Sequence, residues 1–101
     1  MARELKIEGD VSEFMLLDSS ITGREIVTCL GDWGTTTRVE LQTQLEVNGE
    51  KSPVTTLPVG GTHTTDFSVE VVLGFKSPLF VTVTDYDGAA PIFLKATHSG
   101  V

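Results

Sequence analysis

The chain has 101 residues, with 14 acidic and 7 basic side chains for a net charge of −7 at neutral pH, and a single cysteine. That length fits one domain, residues 1–101, which keeps about 5,600 Å² of surface when folded and buries enough of the rest for one core without staples. Dispersed basic residues exclude a phosphate-binding patch, and with it a nucleic-acid partner. The lone Cys29 excludes an internal disulfide, and apolar runs no longer than Phe14 to Leu17 leave no expected leader, membrane span or membrane partner.

Val, Ile and Thr supply 30 residues and Ala only four, a bias toward pleated sheet because branched β-carbons are stiff and pack well across strands. The expected fold is all-β: one antiparallel sandwich of about seven strands, Ig-like or jelly-roll-like, with one long arm containing Pro and Gly. In chain order, Glu4 to Glu8 and Val11 to Leu17 flank Gly9-Asp10, a dipeptide suited to a two-residue hairpin. The second of these also fits a short helix, because Asp10 and Glu13 are spaced like a capping box and Phe14, Leu17 and Ile21 could share a helix face. Arg24 to Leu30 is the third strand. Arg38 to Val47 is the clearest: Val39, Leu41, Thr43, Leu45 and Val47 alternate with Arg38, Glu40, Gln42, Gln44 and Glu46, one buried face against one wet face.

From Glu50 to Thr62 the chain carries Pro53, Pro58 and Gly60-Gly61, which forbid a regular ladder and predict an extended crossover or protruding arm. His63 to Leu73 alternates again, with Phe67, Val69, Val71 and Leu73 on the inner phase. Leu79 to Tyr86 carries apolar residues on both faces, as a central strand does. Ile92, Leu94 and Ala96 close the set. Lys-Ser-Pro occurs at 51–53 and at 76–78, but the flanks differ and no repeat follows.

Residues that could carry chemistry are few. Cys29 sits in an apolar alternating stretch and reads as a small buried hydrophobe. His63 and His98 lack partners at metal spacing, and His63 and Asp66 fall on opposite phases of one strand. No catalytic set, cofactor or metal is therefore expected. The nearest approach to a cation site is Asp85-Tyr86-Asp87-Gly88 after a Val-Thr-Val-Thr strand. Phe80 to Gly88 resembles the strand and third loop of a C2 domain, which implies calcium ligation by Asp85 and Asp87 at most; the same acidic pair is also what a hairpin tip looks like. An EF-hand is excluded, since Ala89 and Ala96 stand where that loop needs oxygen ligands.

Trp33, within Gly31-Asp32-Trp33-Gly34, could be a lid on the core, a protein anchor or a sugar platform. Val54, Leu57, Pro58 and Val59 form an apolar tract in the arm, suited either to a neighbouring subunit or to an open end of the same domain. Trp33 and these four residues are the expected protein interface. In overall style the chain resembles the small β-sandwich structural proteins of bacteriophage particles, such as capsid decoration and head-completion or tail-joining proteins. That resemblance implies a non-enzymatic virion component made in the host cytoplasm, bound to major capsid or other virion proteins and oligomeric or assembly-bound. Ends held in place at Met1 and Val101 are a separate expectation, one that would suit an assembly. The alternative is a ligand-binding β-sandwich, calcium-dependent or carbohydrate-binding.

Overall fold

The computed structural model describes residues 3–18, 23–74 and 77–98. The expected ordering of Met1 and Val101, the Thr22 side of the Thr22-Gly23 turn and the middle of the 74–78 turn lie outside the described residues. Within them the chain is all-β, without helix.

The strands are β1 (Glu4–Ile7), β2 (Val11–Leu17), β3 (Gly23–Gly31), β4 (Arg38–Thr43), β5 (Glu46–Val47), β6 (Glu50–Lys51), β7 (Thr55–Thr56), β8 (Thr62–His63), β9 (Phe67–Leu73), β10 (Leu79–Thr84) and β11 (Ile92–His98). One sheet runs β1-β11-β3-β9; the other runs β2-β10-β4-β7, with β8 also on β4; β5 and β6 form a separate hairpin. All pairings are antiparallel.

The inner phases of both sheets meet in one buried cluster, which joins Ile7, Val27, Cys29, Val71 and Leu94 to Leu16, Val39, Leu41, Val81 and Val83. Each of these residues has an exposed or half-exposed neighbour in its strand, although Leu16 also has the buried Leu17 beside it and Val81 the buried Phe80. Period-two alternation thus assigns the core directly. β10 is central, as its two apolar faces require: it lies between β2 and β4 and has Phe80 only 8% exposed on the outer side.

Val11 to Leu17 is the strand expected, and its helical alternative falls away; Glu13, at φ 48, forms a bulge where the β2·β10 register shifts, and its amide donates to Thr82 Oγ1. Four other sequence expectations change. Gly9-Asp10 closes no hairpin. Neither residue takes the positive φ that such a turn needs, and the chain instead crosses from one sheet to the other.

The long strand predicted over 38–47 ends at Thr43. Its alternation continues through Leu45 and Val47, but both are exposed. Asn48 (φ 54) and Gly49 (φ 83) form a tight turn that pairs Val47 with Glu50, so this stretch leaves the sheet as its own hairpin.

The arm does not protrude as a whole. β7 and β8 lie back along the free edge of β4, where Leu57 N donates to Leu41 O and Leu41 N to Gly61 O. His63 therefore belongs to β8 on one sheet, and the strand predicted from 63 begins at Phe67 on the other.

Candidate binding surfaces

At one end of the molecule, aspartates hold the loops together. Asp87 accepts from the amides of Thr35 and Thr36 and from the hydroxyls of Thr35 and Thr37, at 2.8 to 3.2 Å. Those hydrogen bonds, led by the Thr36 amide, hold its carboxyl far below the usual carboxylate range. Asp32 spans its own turn, accepting from Gly34 N and Ala89 N, and Asp10 accepts from Tyr86 N.

The turn demands glycine at 34, where φ is +60 and a β-carbon would overlap the Asp87 carboxylate. Asp85 (φ 55) contributes its backbone carbonyl to Thr36 Oγ1. The two acids of the C2-like stretch thus serve different bonds. Asp87 faces N–H and O–H donors, the surroundings of a bound anion rather than those of a cation ligand. Among the described residues no three His, Cys, Asp or Glu side chains converge as a metal set.

Trp33 belongs to this end too. It is 7% exposed, tilts against Phe67 at 6.1 Å and donates Nε1–H to Asp66 Oδ1 at 2.7 Å. The indole closes the core beneath the loops. Its faces are turned inward, so it presents neither a sugar platform nor an exposed anchor.

Asp66 also accepts from Gly31 N, while His63 bonds Gly60 O and stacks on Phe67 at 3.6 Å. His63 and Asp66 thus have separate partners. Cys29 is buried, and desolvation, aided by the charge of Asp66, pushes its thiol up to about 12, the behaviour of an inert core thiol.

In the arm, Val54 and Leu57 are half-buried and Leu57 packs on the core. Pro58 is exposed and Val59, at the tip, is 89% exposed. Of the five residues expected at an interface, only these last two stand fully outside the fold.

Two features escaped the sequence. The first is Glu25, 0% exposed on the inner phase of β3, which receives Arg3 Nη2 on Oε1 and contacts His98 Nδ1 through Oε2 at 2.6 Å. Its odd position in the β3 alternation, in phase with Val27 and Cys29, was the available signal.

The second is the outer face of the four-stranded sheet. Ile26, Leu30, Val72 and Phe93 all point outward there, half of the large apolar residues that stand exposed among those described. Leu30 and Phe93, register partners on β3 and β11, line an open groove of about 730 Å³ with Thr28, Lys6 and Lys95. Every second residue of β3 and β11 faces this side, but Arg24, Thr28, Lys95 and Thr97, polar residues on the same phase, hid the patch.

Compared with known proteins, the chain matches no family model, no curated protein and no solved structure.

Proposed function

We propose that this chain is a non-enzymatic binding protein built on a jelly roll. The pairings support that fold. β1 pairs with the last strand, β2 with the one before it, β3 with β9 and β4 with β7 and β8, so the chain is one long hairpin folded at its middle. Rolling that hairpin up adds the β11·β3 and β10·β4 contacts. Successive long strands then alternate between two facing sheets, the double-sheet plan of viral capsid and lectin jelly rolls.

The particular role proposed is that of a virion component, a capsid decoration or stabilising protein. Its support is the overall style of the sequence and analogy of fold, which by itself carries no activity.

The observation that carries the binding function is the apolar outer face of the four-stranded sheet. Phe93, on β11 between Lys6 and Leu30, is 58% exposed, and a monomer keeps a patch of that kind when something covers it in use. A protein that binds the assembled shell and not its free subunits stabilises the shell by mass action, by about 2.7 kcal/mol per site at a hundredfold excess over Kd.

Co-sedimentation with virion shells stripped of small accessory proteins is the test. Saturable binding that Phe93→Glu abolishes supports the proposal. Absence of binding by the wild-type chain, or binding indifferent to Phe93→Glu, refutes it.

A further inference from the structure

We infer that the outer face of the four-stranded sheet is a self-association surface, on which a second copy of this chain docks face to face; this rests on the reading of that face as a binding surface, and a second copy there competes with a shell for the same residues.

Charge singles out that occupant. Three exposed ion pairs decorate the face and its edges: Lys6 with Glu8, Lys95 with Glu4, and Arg24 with Glu70. Their three positive and three negative charges cancel, so the whole net charge of −7 resides elsewhere on the chain. Two copies of an acidic protein repel through most of their surfaces. Here they meet a neutral one. Both sides of the face also carry both signs, Glu4 and Lys6 on β1 and, on the other side, Glu70 of β9 paired with Arg24 of the adjacent β3, so a two-fold related copy brings no single-signed side against its like.

Shape agrees with charge. Leu30 and Phe93 flank the groove of about 730 Å³, and beyond Thr28 on the same face Ile26 and Val72 form a second apolar pair, diagonal across β3 and β9. Four strands of up to seven paired residues span roughly 19 by 23 Å, about 440 Å² in projection. Side-chain relief raises the accessible area above that value, yet it stays at or below the roughly 800 Å² per partner of a standard interface. A reversible dimer with Kd on the order of 10 to 100 μM is expected.

Sedimentation velocity from about 1 μM to about 1 mM brackets that Kd. The wild-type chain should pass from monomer to dimer across the range. Raising the salt should strengthen association, because it screens the residual repulsion between the acidic remainders.

Phe93→Glu should remain monomeric throughout. Lys95→Glu, which leaves the apolar strip intact but makes the face net negative, should weaken the dimer about tenfold or more. Val59→Glu, equally a charge placed on an exposed apolar residue but at the arm tip, should dimerise as the wild type does. Near-ultraviolet circular dichroism of Trp33 reports that each variant is folded.

A wild-type chain that stays monomeric overturns the inference, as does a dimer unaffected by both Phe93→Glu and Lys95→Glu, or one lost in Val59→Glu. A monomer that still binds shells through Phe93 overturns self-association and leaves the binding function standing. A dimer that ignores shells supports self-association and removes the virion role.

Discussion

Glu25 offers the sharpest test of how the two ends of the chain are held. Its carboxylate is fully buried, whereas its partners are not: the side chains of Arg3 and His98 are 29% and 50% exposed. Deleting the carboxylate and deleting its partners therefore differ in kind. In Glu25→Leu a side chain of similar length takes up the buried site, and Arg3 and His98 turn to water, at a cost below about 1 kcal/mol or with a gain.

In the Arg3→Ala/His98→Ala double variant the carboxylate stays in the core with its charge uncompensated. That costs about 3–5 kcal/mol, a large fraction of the 5–15 kcal/mol typical of a whole domain. The melting temperature should fall by about 12 °C or more. Urea unfolding followed by the fluorescence of Trp33, the only tryptophan and a buried one, measures both. If Glu25→Leu proves as damaging as the double variant, the carboxylate is a net stabilising element and the argument from desolvation is wrong.

Other outcomes follow from the loop end and the core. Asp87 is held below its unfolded value, so its contribution is complete above the unfolded carboxyl pKa of about 3.9 and is lost as the pH falls from there toward the folded one. The stability gap between the wild type and Asp87→Asn, from urea titrations, should be constant from about pH 7 to 5 and should close in acid; a gap that widens in acid contradicts the bonding described. Gly34→Ala should destabilise by more than the ~1 kcal/mol typical of an exposed Gly-to-Ala change at positive φ, since its β-carbon also displaces Asp87; calorimetry decides. Cys29 should resist iodoacetamide in the native protein and label readily in urea, and fast native labelling would show that the core opens around it.

Alternation alone located the strands. The pleat sends successive side chains to opposite faces, so Val39 and Leu41, Val71 and Leu73, and Leu94 and Ala96 announced their burial one strand at a time. The same rule misled where the tertiary fold ran out of room: Leu45 and Val47 keep the phase, but the Asn48-Gly49 turn lifts them off the sheet into solvent. It was also silent on the acids. In the fold Asp10, Asp32, Asp66 and Asp87 each bond a backbone or side-chain donor of another segment, which nothing in their local pattern announces.

What the sequence by itself determined is therefore the class of structure, all-β, together with most strand limits and the identity of the core, because those depend on residues one or two apart. Only the tertiary structure decided the rest. Pairing between strands distant in sequence brings together residues more than twenty apart, and such pairing leaves no local trace. The engagement of Asp87 by the 35–37 turn, the burial of Glu25 between Arg3 and His98, and the gathering of Ile26, Leu30, Val72 and Phe93 on one outer face all arise in that way.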